Sequence, residues 1–276
     1  MRWSERQRAM LRVMGIRLFG PEVAAPAPPP VTTPPIPAPP PRVAVAATDH
    51  SALASASAPR PSKEGFAQRA PASTSPARTA AVVQEIATLD WAALREAVAS
   101  CRACALCESR QQTVFGVGHP HAHWMIVGEA PGEQEDRQGE PFVGLAGQLL
   151  DNMLQAIGLT RAEAPPERQV YIANTLKCRP PKNRNPEPAE TATCAPFLER
   201  QIALVQPRII LAMGRFAAQA LLASSEPLGK LRGRAHAWRG VPVIVTYHPA
   251  YLLRTPADKA RAWEDLCLAA TLVKPG

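Results

Sequence analysis

The chain has 276 residues, with 46% hydrophobic content and 31 prolines, which suits one sizeable domain that carries an extension. No apolar stretch reaches the roughly 20 residues that span a membrane, and residues 10–19 contain two arginines and lack a convincing cleavage site, so we expect a soluble, cytoplasmic protein. The formal charge of +8 comes mostly from residues 1–83, with ten Lys or Arg against four Asp or Glu, and so is weak support for DNA binding by the rest.

The first 81 residues are expected to lie outside the folded domain. Residues 1–22 have apolar side chains at helical spacing, which fits a short basic amphipathic helix or a weakly ordered terminus. Residues 23–81 are rich in Ala, Pro and Ser and cannot bury enough surface to offset the entropy of ordering. We predict a disordered linker there, either a passive tether or a partner-binding segment, and a folded domain over residues 82–276.

The folded part contains four short apolar runs that predict buried parallel strands, with helical patterns between or after them. This alternation indicates an α/β fold, a three-layer sandwich around a central, mainly parallel four-stranded sheet. The predicted strands are Trp124–Val127, Val170–Ala173, Ile209–Ala212 and Val243–Val245.

Polar or glycine-containing segments follow these strands directly. Loops at the carboxyl ends of strands in an open α/β sheet converge on one crevice, where ligands bind. Glu129, Asn174 and His248 each lie just after one of the strands. We therefore expect these three residues to be neighbours in spite of their distance in sequence.

Six cysteines, with two gaps of Cys-x-x-Cys spacing, favour a metal site over disulfides in a cytosolic chain. Two sequence-distant pairs supply enough thiolates for a tetrahedral zinc or a four-iron cluster, and the spacing does not choose between them. Buried free cysteines are the alternative, which the polar turn around the first pair disfavours. Cys107 is a further candidate ligand, whereas Cys267 lies in a helical pattern that favours core packing. The four candidate ligands are Cys101, Cys104, Cys178 and Cys194.

Residues 128–136 form a glycine and proline turn crowded with carboxylates, which taken alone fits a solvated acidic loop. In the stretch that follows, at residues 140–150, Phe142 precedes a helix start made of small residues. Glycines of this kind permit a close approach of the backbone to a flat ligand. Together the two segments indicate a binding loop.

Four motifs follow one another between about Leu94 and Leu272: Gly-Glu-Ala-Pro-Gly-Glu-Gln-Glu-Asp at 128–136, Pro-Phe-Val-Gly at 141–144, Asn-Thr-Leu-Lys-Cys-Arg-Pro-Pro at 174–181 and His-Pro-Ala-Tyr-Leu-Leu-Arg at 248–254. The combination resembles the family-four, iron–sulfur uracil-DNA glycosylases of the uracil-DNA glycosylase superfamily. This resemblance implies a base excision repair enzyme that hydrolyses the N-glycosidic bond of uracil in single- or double-stranded DNA, leaving free uracil and an abasic site.

The resemblance also implies one [4Fe-4S] cluster, which favours iron over zinc at the cysteines. The cluster is expected to be structural, because it pins loops near the DNA rather than carrying electrons in the reaction. Its implied ligands are Cys101, Cys104, Cys178 and Cys194. We expect the protein to act on DNA as a monomer.

A glycosylase extrudes its base from the helix, so the resemblance places an everted uracil in the crevice. Phe142 stacks on the base, unless it is simply a core aromatic. Asn174 donates to O4 and accepts from N3–H, a pattern that cytosine reverses at a cost of about 1–3 kcal/mol for each unpaired group. His248 donates to O2 of the departing uracil anion, or else only caps the turn before Pro249.

Two glutamates complete the implied catalytic set, Glu129, Glu135 and His248. Glu129 sets its backbone against the base and positions water or supports the cationic sugar, and Glu135 shares that task or excludes thymine on the C5 side. The implied uracil-binding residues are Gly128, Glu129, Ala130, Glu135, Phe142, Asn174 and His248.

Two further segments are candidates for DNA contact. Three basic residues between the third and fourth cysteines meet phosphates or form a merely solvated loop. In the resembling enzymes the loop after the histidine motif enters the minor groove, where a leucine fills the gap left by the flipped nucleotide and an arginine meets a phosphate; ordinary packing is the alternative for the leucines. The candidates are Arg179, Lys182, Arg184, Leu252, Leu253 and Arg254.

The chain departs at two positions from the best-known uracil glycosylases of other families. Ala130 stands where they carry a water-activating Asp, and Gly132 stands where they carry a Tyr that excludes the thymine methyl group. The sequence therefore leaves the general base open, and catalysis is expected to depend on stabilising the departing anion.

Two other functions compete with hydrolysis. One is a uracil-DNA-binding relative that traps DNA covalently through a histidine after the third cysteine, but residues 179–187 contain no histidine. The other is a non-enzymatic, metal-stabilised nucleic-acid-binding module, which the colour of the purified protein would distinguish from an iron–sulfur enzyme.

Overall fold

The structure is a computed structural model that describes residues 83–273, all within the predicted folded domain. The predicted N-terminal helix (1–22) and linker (23–81) lie outside the described residues. Within residues 83–273, none of the helices combines the length and the apolar character needed to cross a membrane.

A six-stranded sheet lies at the centre, with strand order β1-β3-β2-β4-β6-β5. The four inner strands, β3-β2-β4-β6, are mutually parallel, and both edge strands are antiparallel to their neighbours. The strands are β1 (Val117–Gly118), β2 (Trp124–Gly128), β3 (Tyr171–Asn174), β4 (Ile209–Met213), β5 (Ala235–Trp238) and β6 (Val241–Thr246).

The predicted α/β fold is confirmed, and the four predicted strands are the four parallel ones. The sheet nevertheless has six strands, not four. The two edge strands escaped prediction because β1 has only two residues and β5 alternates between exposed and half-buried positions. An edge strand with one partner does not need the continuous apolar run that marks a buried parallel strand.

Helices cover both faces of the sheet, which completes the three layers. One face carries α4, α8 and α9, and the other carries α5, α6 and α7. Because side chains alternate along a strand, Ile126 and Ile172 face the first layer while Val127 and Ala173 face the second. The helices are α1 (Trp91–Ser100), α2 (Leu106–Ser109), α3 (Glu133–Gln138), α4 (Leu145–Ala156), α5 (Pro188–Val205), α6 (Arg215–Leu222), α7 (Leu228–Leu231), α8 (Pro249–Arg254) and α9 (Lys259–Leu272).

A third apolar cluster joins the beginning of the described chain to α5. Helix α1 starts at the N-cap Asp90, whose carboxylate accepts a hydrogen bond from the Ala93 amide at 2.8 Å. It buries Leu94 and Val98 against a group of residues that includes Cys178 and Cys194. Cys101 and Cys104 pack against the same cluster, so the cysteine-bearing segments meet there.

The strand order creates a crevice at the carboxyl ends of the parallel strands. Strand β2 lies between β3 and β4, so the chain moves from β2 to one side and returns through α5 to the other. Ligands bind at such a reversal in open α/β sheets.

Candidate functional site

Three loops that follow parallel strands meet at this crevice. A Cβ atom added at Gly128, the last residue of β2, would lie against Asn174 Oδ1 and 2.7 Å from two ring atoms of Phe142, so only glycine fits there. The Phe142 ring stacks on the His248 ring, with centroids 5.3 Å apart and planes inclined by 26°. We call the space bounded by Gly128, Phe142, Asn174 and His248 the strand-end cleft.

Asn174 presents a buried acceptor that lacks a partner. The residue is 2% exposed, and Oδ1 makes no hydrogen bond to any described residue. Leaving such a group unpaired costs about 1–3 kcal/mol. A buried orphan acceptor at a strand end therefore points to a ligand that donates a hydrogen bond.

His248 is prepared to act as a neutral donor. Its Nδ1 accepts a hydrogen bond from the Ala250 amide at 3.2 Å, so the proton of the neutral ring lies on Nε2. Burial lowers the pKa of His248 to about 4, with a smaller contribution from Arg254. Gly214 packs against this side chain. Its φ is +90°, and a Cβ atom added there would lie only 3.1 Å from the Cβ of His248.

The backbone of Phe142 is held in the left-handed region, at φ 55°, which is costly for a bulky residue. Both sides of it are fixed by side chains. The Val143 amide donates to Glu135 Oε1 at 3.2 Å, and Arg161 Nη1 donates to the Pro141 carbonyl at 3.1 Å. These contacts clamp the aromatic ring over the cleft.

The two predicted catalytic glutamates have different surroundings. Glu135 caps α3, since its Oε2 also accepts the Gly132 amide at 3.1 Å, so both carboxylate oxygens bind backbone groups. Glu129 is half-buried, and burial raises the pKa of its carboxyl against the opposing effect of Arg215. The Glu129 carbonyl is bound by the side chain of Thr175 and by the amide of Leu176.

All four predicted metal ligands line one small cavity, together with Cys107. Two donors point at its sulfurs: Arg110 Nη1 lies 3.0 Å from Cys178 Sγ, and the Lys177 amide lies 3.3 Å from Cys194 Sγ. Burial raises the pKa of the thiols of Cys104, Cys178 and Cys194. No group of three or more His, Cys, Asp or Glu side chains in residues 83–273 is gathered around one point as the ligands of a single metal ion would be, whereas each thiolate of a [4Fe-4S] cluster binds a different iron. Cys267 packs against the core elsewhere, as predicted.

The basic residues after Cys178 differ in whether their charged groups already bind other side chains. Arg184 makes two hydrogen bonds to Glu190, at 2.9 and 2.6 Å. Arg179 binds Asn183 at 2.7 Å and Glu133 at 3.4 Å. Lys182 is exposed, with no ion pair to the described residues.

The leucines after the histidine motif point in different directions, because neighbouring helix residues are about 100° apart. Leu252 is fully buried in the core, whereas Leu253 is 43% exposed and Arg254 is exposed. Of the two leucines proposed for DNA contact, Leu252 therefore packs in the core, and Leu253 is the exposed one.

Sequence reasoning missed two residues of the site. Arg161, which binds the loop of Phe142, lies in a polar stretch without a motif, and only its position in the fold shows the contact. Gly214 directly follows β4, but its close packing on His248 was not predicted.

Comparisons with known proteins identify the family of this chain. The sequence model of the Uracil DNA glycosylase superfamily matches residues 115–267. A type-4 uracil-DNA glycosylase of Sulfurisphaera tokodaii is 42% identical over 62% of this chain and 80% of that protein. Proteins of the same name from Pyrobaculum aerophilum and Archaeoglobus fulgidus are 41% and 43% identical, over 65% and 58% of this chain and 93% and 81% of theirs.

Proposed function

The chain belongs to the uracil DNA glycosylase superfamily, among its type-4 uracil-DNA glycosylases, and from this premise we propose how its strand-end cleft releases uracil from DNA. It is a DNA repair enzyme that hydrolyses the N-glycosidic bond of uracil. An everted uracil enters the cleft, because the glycosidic carbon is inaccessible within stacked DNA. The residue roles that follow are the proposal.

The unpaired Oδ1 of Asn174 is the observation that carries the assignment to uracil. Uracil offers N3–H to this acceptor, and its O4 accepts from the amide nitrogen of the same side chain. Cytosine has an unprotonated N3 and an exocyclic amine, so it would leave both groups of Asn174 mismatched. The Phe142 ring, fixed by its clamped backbone, supplies the stacking surface.

Departure of uracil leaves negative charge on O2. The Nε2–H of neutral His248 is the donor for this oxygen, since Nδ1 is occupied by the Ala250 amide. Glu129, with a half-buried carboxyl and a carbonyl fixed by the loop after β3, supports the sugar side of the cleft. Glu135 acts on the cleft indirectly, because its carboxylate binds the Val143 amide in the loop of Phe142.

The four cysteines suit a [4Fe-4S] cluster by their chemistry, because all line one cavity and N–H donors face two of the sulfurs. Cys101, Cys104, Cys178 and Cys194 would hold it. When bound, such a cluster supplies a cross-link between the segment before β1 and the loop after β3. Thiolate ligands are kept available in a reducing compartment, which agrees with a cytoplasmic enzyme.

Release of free uracil from an oligonucleotide tests this function directly. We expect the purified protein to release uracil from single- and double-stranded DNA and to leave cytosine in the same sequence untouched. A protein–DNA adduct that survives denaturation would point instead to covalent trapping. Absence of both release and adduct would contradict the assignment of the cleft.

Leu253 is the proposed wedge that fills the space of the flipped nucleotide. We expect Leu253→Ala to slow uracil release from double-stranded DNA about tenfold, with little effect on single strands, where no stack must be held open. Single-turnover rates on the two substrates measure this ratio. Leu272→Ala, at a leucine of similar exposure in α9, is the matched control. Equal losses on both substrates would contradict the wedge.

A further inference from the structure

Lys177 is a buried cation that lies between the cysteine cavity and the strand-end cleft. It is 2% exposed, and its Nζ donates to the Asn174 carbonyl at 2.8 Å and to Gln201 Oε1 at 2.6 Å. Removing an ammonium group from water is costly unless other groups replace its hydration. One of these two hydrogen bonds goes to the main chain of Asn174, the residue whose side-chain oxygen has no partner.

Gln201 is itself fixed, so it acts as a rigid anchor for the lysine. The residue is fully buried in α5, and its Nε2 donates to the Phe115 carbonyl at 2.8 Å and to the Tyr171 hydroxyl at 3.1 Å. Tyr171 begins β3, the strand that ends at Asn174. The network therefore ties both ends of β3 to α5.

The main chain of Lys177 is joined to the cysteine cavity. Its amide donates to Cys194 Sγ at 3.3 Å, and Cys178 is the next residue in the chain. None of the ion pairs within residues 83–273 includes Lys177, so hydrogen bonds and not a carboxylate hold its ammonium group there.

We propose that Lys177 is a positioning residue for uracil recognition: anchored by Gln201 and by the hydrogen bond of its own amide to Cys194, it fixes the Asn174 peptide so that the side-chain amide meets the base. The proposal rests on the proposed function of the cleft. It assigns Lys177 no contact with uracil or DNA. It makes the cysteine site and the reading of the base parts of one buried polar network.

Lys177→Met tests this proposal in the iron-loaded protein. It leaves the Asn174 carbonyl unheld, and a misplacement of about 1 Å can lower a rate about 100-fold. We expect uracil release to slow by about that factor and free uracil to inhibit at least tenfold more weakly, while affinity for abasic-site DNA stays at the wild-type value. Lys230→Met, the same change at an exposed lysine, should alter none of these quantities.

A second variant separates positioning from folding. Leu198→Ala shortens a buried side chain of α5, the helix that carries Gln201, and leaves the hydrogen bonds of Lys177 in place, so it destabilises the domain without touching the network. We expect it to lower the melting temperature, yet to keep inhibition by free uracil at the wild-type value. Weakening of uracil inhibition in Leu198→Ala to the extent seen in Lys177→Met, or wild-type inhibition of Lys177→Met, would overturn the proposal. Failure of the unmodified enzyme to release uracil would instead contradict the function of the cleft.

Discussion

His248→Ala is expected to lower the rate of uracil release by about 100- to 1,000-fold without unfolding the protein, because it removes a preorganised donor from the oxygen where charge develops. The ring is held by three independent contacts: the stacked Phe142, the Ala250 amide and the close backbone of Gly214. Such a fixed donor needs no reorganisation as uracil departs. Single-turnover release from a uracil oligonucleotide measures the loss.

The matched control for this substitution is His121→Ala, at an exposed histidine in the turn before β2. It should release uracil at the wild-type rate. Affinity of His248→Ala for uracil-containing DNA should change much less than its rate, because the donor acts mainly on the charge of the leaving group. A fully active His248→Ala protein would show that another group stabilises the anion.

Because the pKa of His248 is lowered in the folded protein, His248→Ala should also change how the free energy of unfolding depends on pH. Between its folded value of about 4 and the ordinary value of 6.5, the unfolded chain takes up a proton that the folded chain does not. The free energy of unfolding should therefore decrease as the pH falls from 6.5 to 4, by up to about 3 kcal/mol from this group. Denaturation at pH 7 and pH 4.5 should show this acid sensitivity to be smaller in His248→Ala. Above about pH 4 the ring stays neutral, so its donor remains in place.

The sequence predicted that Glu129, Asn174 and His248 would be neighbours because strand periodicity and topology suffice for it, whereas Phe142 was assigned to the crevice by the family resemblance. Loops at the carboxyl ends of parallel strands share one edge, wherever the residues lie in the chain. The roles of these residues were implied by family resemblance and remain proposals. The buried state of Asn174 Oδ1 and the tautomer of His248 required the positions of neighbouring atoms.

The features that sequence did not reveal depend on side-chain direction. Leu252 and Leu253 are identical in type and adjacent, and only the placement of α8 against the core separates a buried residue from an exposed one. Glu135 carries a carboxylate like that of Glu129, but it binds two backbone amides, so its contribution passes through the loop of Phe142. Lys177 resembles any lysine in a basic motif until its buried partners are known.

Cys178→Ser is expected to remove most of the bound iron and to destabilise the domain. Cys178 is buried in the cluster of apolar residues that joins α1 to α5, and Arg110 reaches its sulfur from the segment after α2. Without a cross-link these segments retain their apolar contacts and a few hydrogen bonds, such as that from the Val114 amide to the Lys177 carbonyl, and serine is a poor replacement for a thiolate ligand of iron. Iron and sulfide content, visible absorption and melting temperature measure the loss.

Cys267→Ser makes the same chemical change at a cysteine that packs against the core and does not line the cysteine cavity. It should keep a full complement of iron and lose only a small part of its melting temperature. Cys107→Ser tests whether this fifth thiol at the cavity is a ligand. We expect the variant to keep its iron, because the four assigned cysteines should hold it without Cys107. Full iron content in Cys178→Ser, or its loss in Cys267→Ser, would contradict the ligand assignment. Because Lys177 lies beside Cys178, loss of the iron should also weaken inhibition by free uracil in any Cys178→Ser protein that stays folded.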